Sequence, residues 1–300
     1  MLINQLKTLE SQEGIMERVS PDFPVSVYKM DFTCVPCHTV ISWHWHDDFQ
    51  ICWVDCGTVK FRVVEQYFVL EQNTGLFINC RLAHTAEPLT ADASYFGINL
   101  HPDIICADRK SKIYQQTVLP FVQPDSAYMF SFSQASLEGS ILCHMIQKIL
   151  AFSEEKNLMA KELFIQSEIL YAWPTVLQTT VHSTKRSRKS TANKRLKRIL
   201  YYIQEHYSKK ITLQDIAGHI HLCPEECSRF FKKTTGTSLV QYIIQYRIER
   251  SKELICFTDF TIAQIAQAVG FSTQSYFTYC FQKYEKQTPN QYRRTAQNSV

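Results

Sequence analysis

Three hundred residues, 45% hydrophobic and 20% charged, suit two domains with ordinary cores, and no run of about 18 apolar residues offers a membrane-spanning helix. The net charge of +4 conceals a division: from Val181 onward there are 20 Lys and Arg against 8 Asp and Glu, a balance of +12, which leaves 12 against 20, or −8, for residues 1–180. The basic part has the footprint of a protein that binds phosphate by releasing counterions, and only eight glycines leave little room for a phosphate-cradling loop.

At the N-terminus, MLINQLKTLESQEG lacks the apolar core of a signal peptide, so the expected location is the cytoplasm, with no membrane partner. Eleven cysteines, an odd number without a disulfide framework, read as reduced thiols packed as small hydrophobes. Cys34, Cys37 and His38 spell a c-type haem attachment pattern, a chemistry that requires export, and a redox dithiol or a metal pair is the other reading. Cys223 and Cys227 stand one helical turn apart with no partner at zinc-finger spacing and read as structural.

Short β-branched and aromatic runs follow, at Phe49–Val54, Thr58–Val64, Tyr67–Leu70, Gly75–Ile78 and Tyr95–Leu100, separated by turn residues around Gly57, Asn73 and Pro88. They predict a small β-barrel or double-sheet roll over residues 1–135. Within it, His44-x-His46-x-x-x-Gln50 with Gly57, then Gly75 with His84, resemble the two motifs of the cupin barrel. The resemblance implies a cluster of His44, His46, Gln50 and His84 at the barrel mouth. Gln50 replaces the carboxylate that metal-binding cupins carry, so the expectation is a ligand-binding site with no metal and no cofactor, with a three-histidine metal site at His44, His46 and His84 as the other reading. Small barrels can enclose one ligand, and Trp43, Trp45, Trp53, Tyr67, Phe68 and Tyr95 are candidates to line it or to fill the core.

Residues 136–180 read as helical, with Leu137, Ile141, Met145 and Ile149 stepping by four, then Leu158, Ile165 and Ile169, with Leu163 and Leu170 alongside and Pro174 near the end. Such a stripe can pack on the barrel or form a dimer contact. HSTKRSRKSTAN, residues 182–193 within the basic part, has no apolar periodicity, and a basic linker is expected over residues 181–192.

Beyond the linker the chain repeats itself. Thr212-Leu-Gln-Asp-Ile-Ala217 matches Thr261-Ile-Ala-Gln-Ile-Ala266, Phe231 matches Phe281, and Gln241-Tyr242 matches Gln291-Tyr292, at an offset of 49 and then 50 residues. Each copy starts at a threonine N-cap; in the second, Gln264 completes a capping box, Gly270 can turn the chain left-handed, and a second helix begins near Thr273. Tyr276, Phe277, Cys280 and Phe281 are expected inward, and Gln274, Ser275, Thr278, Tyr279 and Lys283 outward. Each copy therefore predicts a helix-turn-helix, at about residues 212–235 and 261–285. Between them, Leu239, Tyr242, Ile243, Tyr246, Ser251, Leu254 and Ile255 mark one amphipathic helix over about residues 238–256. About 19 residues at roughly 1.5 Å each give a rod of roughly 28 Å, near the roughly 34 Å between major-groove faces of a duplex. A helical solenoid without nucleic acid is the competing reading.

Ile211-Thr-Leu-x-x-Ile-Ala217, Arg229-x-Phe-Lys232, Gly236-x-Ser238, Arg247, Ile265-Ala-x-x-x-Gly270-Phe271, Ser275-Tyr-Phe277 and Thr288-Pro289 resemble the DNA-binding domain of AraC-type transcriptional regulators, over residues 193–300. Two positions depart from the family pattern: Lys286 stands where glycine is usual, and Cys223 where a serine cap is usual. The resemblance implies an α+β architecture, with a cupin-like sensor barrel, a helical dimerisation segment and an all-α domain of seven helices. It implies base-facing Glu225, Ser228 and Arg229 in the first head and Gln274, Ser275, Thr278 and Tyr279 in the second, with Lys232, Lys233 and Lys283 suited to phosphate. Arginine pairs with guanine and glutamine with adenine. Double-stranded operator DNA, a small-molecule effector such as a sugar held by His44, His46, Gln50, Trp53 and His84, a second copy of the chain, and RNA polymerase for an activator are the implied partners. A ligand-responsive transcription factor that is not an enzyme is the leading reading. A cupin metalloenzyme, an oxygenase or sugar isomerase with a DNA-binding appendage, is the alternative, against which Gln50 argues.

Overall fold

The computed structural model describes residues 17–18, 22–33, 41, 43–123, 126–155, 159–182 and 188–297, and contact density divides the chain into Met1–Thr191 and Ala192–Val300. The Cys34–His38 pattern and Leu158 lie outside the described residues.

The first unit holds strands β1 (Glu17–Arg18), β2 (Val25–Asp31), β3 (Phe49–Cys56), β4 (Thr58–Val63), β5 (Gln66–Glu71), β6 (Thr74–Ile78), β7 (His84–Pro88), β8 (Ser94–Leu100) and β9 (Met129–Ser133). They form two antiparallel sheets, one ordered β1-β2-β8-β3-β6-β9 and the other β5-β4-β7. The sequence pattern marks β3, β4, β5, β6 and β8 and leaves out the other four. Period-two alternation sends Phe49, Ile51 and Trp53 of β3 to one face of the larger sheet and Gln50, Cys52 and Val54 to the other. On the second face, Tyr95 of β8 meets Phe61 of β4 with ring centroids 5.1 Å apart, so that face looks toward the smaller sheet.

Phe49, Ile51 and Trp53 belong to a core shared with helices, among them α1 (Lys112–Thr117), α2 (Leu119–Val122), α3 (Leu137–Glu154) and α4 (Lys161–His182). Trp173 packs its ring, tilted, against Phe49 with centroids 5.0 Å apart and donates its indole N–H to the carbonyl of Thr117. The stripe expected on α3 is only half used for packing: Met145 and Ile149 are buried, Ile141 is half-buried, and Leu137 is 75% exposed. The buried row is completed by Leu142, Cys143 and Ile146. Helix α4 buries Ile165, Ile169, Ala172, Trp173 and Val176 and leaves Leu163, Phe164, Leu170 and Tyr171 exposed. Pro174 sits inside α4, which continues to His182.

The second unit is built from α5 (Arg188–His206), α6 (Leu213–His219), α7 (Pro224–Thr235), α8 (Leu239–Phe257), α9 (Ile262–Ala268), α10 (Gln274–Glu285) and α11 (Pro289–Gln297). Among the described residues these are the seven helices expected. Helix α5 begins inside the stretch read as linker: its sequence opens on Arg188 and Lys189 with no apolar residue before Ala192, so the apolar periodicity starts later than the helix, and Ala192 and Leu196 are buried. Each copy of the repeat ends on a core of the same kind: Ile216, Ala217, Cys227 and Phe231 are buried in the first, and Ile265, Ala266, Phe277, Cys280 and Phe281 in the second. Tyr276, expected inward, is 46% exposed. The aromatic positions that do close the second core are Phe277 and Phe281, whose rings lie 5.7 Å apart.

Candidate functional site

Each head starts on a reciprocal cap that fixes the direction of its first helix. Thr212 donates its backbone N–H to Asp215 Oδ2 at 2.8 Å while Asp215 N–H donates to Thr212 Oγ1 at 3.2 Å, and the hydrogen bond from the Thr212 side chain holds the Asp215 carboxyl below its ordinary range. Thr261 and Gln264 repeat the arrangement at 2.9 and 3.2 Å. Ser238 with Gln241 and Thr288 with Gln291 form the same box at the helix that follows each head. The repeat in the sequence matches Gln241 with Gln291 without showing that either completes a cap.

The turns between the helices differ in their chemistry. Gly270 has φ +87°, and a Cβ there would stand 2.4 Å from the carbonyl oxygen of Tyr207, so only glycine fits. At the start of the first recognition helix, α7, Cys223 makes no side-chain cap and Pro224 supplies the first helical position. In the second, α10, Thr273 Oγ1 accepts from Tyr276 N–H at 3.2 Å. At the helix ends, Gly236 is left-handed at φ 81° and Lys286 takes the same conformation at φ 59°, so the departure at Lys286 leaves the turn intact.

Arginines pin both heads from behind. Arg247 of α8 donates from Nε to the carbonyl of Tyr207 at 2.8 Å and from Nη2 to that of Lys209 at 2.7 Å, just before the first head. Its guanidinium also lies 5.9 Å from the ring centroid of Phe271, in the turn of the second head. Arg293 of α11 donates to Ile255 and Phe260 carbonyls at 3.2 and 2.7 Å, just before the second head. Arg293 is a positioning residue that the sequence reading missed; the shared dipeptides Tyr246-Arg247 and Tyr292-Arg293 carry the signal.

With the heads fixed this way, their outer faces are polar. Glu225, Arg229, Lys232 and Lys233 of α7 are exposed and Ser228 is half-buried. On α10, Gln274, Ser275, Tyr279 and Lys283 are exposed and Thr278 is half-buried. Helix α8 between the heads has 19 residues, or roughly 28 Å at about 1.5 Å each.

The sensor-side residues divide into two groups. His44 and His84 form an isolated antiparallel bridge, with backbone N–H to O distances of 3.1 and 2.9 Å, which brings the segment before β3 against the start of β7. One ring nitrogen from each of His44, His46 and His84 lies within 4.8 Å of the others, the group among the described residues whose spacing could hold a metal. His46 Nδ1 lies 3.0 Å from the Asp48 carbonyl and His84 Nδ1 lies 2.7 Å from that of Leu82. Burial, then the neighbouring His44 and His46 rings, push His84 well below the usual histidine range, so its ring is neutral.

Gln50 is buried on the inward face of β3, where its amide N–H donates to the Tyr28 hydroxyl. Gly97 makes room for that tyrosine, since a Cβ there would stand 2.0 Å from Tyr28 Cζ. Trp53 lies on the opposite face, stacked on Phe132 in the core against the helices, and therefore does not line a site with Gln50. Tyr67 is 68% exposed on β5, and Tyr95 is buried. A cleft of about 390 Å³ elsewhere in this unit is lined by Asp47, Arg81, His101, Asp103 and Arg109 among others, and Arg81 is already paired with Asp47 at 2.6 Å.

A basic unit with two helix-turn-helix heads, joined in one chain to a β-rich unit carrying a polar cluster, defines a DNA-binding regulator with a ligand-binding domain. The chain matches the AraC-like ligand binding domain over residues 32–171 and a helix-turn-helix domain over residues 216–295. It is 30% identical over 287 residues to the melibiose operon regulatory protein of Escherichia coli, covering 91% of this chain and 92% of that protein. It is 27% identical over 287 residues to the HTH-type transcriptional regulator YdeC of Bacillus subtilis, covering 95% and 97%. A solved structure of ToxT from Vibrio cholerae aligns over 93% of this chain and 97% of that one, at 14% identity and a TM-score of 0.46. The chain belongs to the AraC family of transcriptional regulators. Among the described residues no helix is long and apolar enough to cross a membrane.

Proposed function

We propose that this regulator reads an operator with both heads at once and that a small-molecule effector in the β-rich unit shifts how its DNA-binding units engage that operator, with no chemical step on the effector. The observation that carries the reading is the doubled head, capped and pinned twice by the same devices on either side of a rod whose roughly 28 Å approaches the major-groove repeat. Glu225, Ser228, Arg229, Gln274, Ser275, Thr278 and Tyr279 face bases, and Lys232, Lys233 and Lys283 face phosphates. The effector class is a sugar. The regulator of a melibiose operon is among the relatives, and imidazole and amide groups at His44, His46, His84 and Gln50 suit hydroxyl recognition.

Residues 1–135 sense, residues 136–180 join two copies, and residues 193–300 bind DNA. The exposed row Leu163, Phe164, Leu170 and Tyr171 on α4 supports the dimer, since such a patch is costly to leave in water. The working place is the cytoplasm, with RNA polymerase as partner where the regulator activates. The test is a thermal-shift and operator-binding screen of the untagged full chain against mono- and disaccharides. A sugar that raises Tm and changes operator affinity is the expected result, and no response to any sugar would remove that effector class. Sedimentation should show a dimer that Leu163→Glu with Leu170→Glu converts to monomer.

A further inference from the structure

We infer that His44, His46 and His84 form a binding site for one divalent first-row transition-metal ion, held by three imidazoles with at least one coordination position left open. The sequence alone points the other way, since Gln50 removes the carboxylate of the resembling motif. The geometry supplies what spacing in the sequence does not.

The bridge between His44 and His84 is made by the backbone, so the two rings are brought together before any ion arrives, with centroids 4.2 Å apart. His46, two residues on from His44, places its ring 5.2 Å from that of His84. An ion with metal–nitrogen bonds of about 2.1 Å needs ligand atoms roughly 3 to 3.5 Å apart. Ring nitrogens already within 4.8 Å of one another meet that by small side-chain rotations.

The outer hydrogen bonds point the same way. A carbonyl oxygen can only accept, so the Asp48 and Leu82 carbonyls fix the proton of His46 and His84 on Nδ1 and leave each Nε2 as a lone-pair donor. Nε2 of His84 is buried and has no hydrogen-bond partner among the described residues. A buried acceptor left this way costs free energy that a metal ion would recover. The donor set also selects the ion: imidazoles without carboxylate or thiolate suit zinc, nickel, copper or ferrous iron, while calcium and magnesium require oxygen ligands. The inference rests on the β-rich unit alone and holds whether or not a sugar is the effector.

The test uses the untagged full chain, stripped with a chelator and titrated with Co(II) and Zn(II). Expected are one equivalent bound, visible d–d bands for Co(II), and no near-ultraviolet thiolate-to-cobalt charge-transfer band. His46→Gln, at a half-buried position that should fold, and His84→Gln should each weaken binding by about 100-fold or more, with circular dichroism unchanged for at least the first. Cys34→Ser with Cys37→Ser should leave it intact. Failure to take up a stoichiometric ion would overturn the site, as would binding that survives His46→Gln or that carries the thiolate band.

Discussion

The two heads of the DNA-binding unit share caps, cores and pinning arginines, yet the end of each recognition helix meets the rod through different chemistry. In the first, the ring of Phe231 packs on that of Tyr242 of α8 at 5.5 Å, and the Thr235 hydroxyl turns back along its own helix to the Phe231 carbonyl at 2.8 Å, so the contact is neutral. At the matching place in the second, Glu285 is 6% exposed and accepts from Lys252 of α8 at 2.7 Å, and Lys252 also reaches Glu249 at 3.1 Å. Burial opposes the charge on Lys252, and Glu249 with Glu285 outweigh it, leaving the lysine pKa raised; burial raises that of Glu249 against the pull of Lys252. The lesson is that a repeat conserves the shape of a joint while leaving its chemistry free, and that the ionic joint is the more vulnerable one.

The largest effect should come from breaking it. Lys252→Ala strands one buried and one half-buried carboxylate, Glu285 and Glu249, and should cost about 3–5 kcal/mol in chemical denaturation. A loss below about 1 kcal/mol would mean that the second head is held by packing alone. Next come the arginine pins. Arg247→Ala removes two charged hydrogen bonds and the contact with Phe271, for a loss of about 2–3 kcal/mol, and should weaken protection of both half-sites. Arg293→Ala should cost less and weaken only the half-site of the second head. Equal effects of the two substitutions would erase the distinction between a shared pin and a local one.

A third test separates readers from anchors within α7. Arg229→Ala should lose about 1–3 kcal/mol of operator affinity and relax one base preference, whereas Lys232→Ala should weaken every sequence alike and reduce the salt slope by about one unit. Identical behaviour across a panel of operators would defeat that assignment. The smallest effect belongs to the left-handed turns. Lys286→Gly should stabilise by about 1 kcal/mol and Gly236→Lys should destabilise by a similar amount, since only the lysines bear the Cβ penalty of that conformation. A melting temperature unmoved by either change would place the strain elsewhere.

The helical unit was the more legible part of the sequence because its signals are local. A threonine three residues before a glutamine or aspartate, an apolar three-four spacing and a single glycine each act within one turn, and together they place α6 to α10. In the β-rich unit the decisive contacts are remote. β2 places Val27 and Tyr28 side by side and breaks the alternation, and β7 opens on His84 and closes on Pro88, so its pairing with β4 is concealed by residues that otherwise signal a site and a turn. Trp53 shows a nearer limit: strand parity separates it from Gln50, and grouping aromatics without that parity puts it in a pocket it does not face. The three histidines were named from spacing, but that a backbone bridge draws His44 to His84 is a property of chain folding over 40 residues, beyond the reach of a motif.

The central claim, that both heads lie in adjacent major grooves of one duplex, is tested most directly by hydroxyl-radical footprinting of residues 193–300 on an operator selected from genomic DNA. Two protected patches on one side of the helix, about 10 base pairs apart, are the predicted result. A single patch, or no defined protection even at low ionic strength, would contradict it.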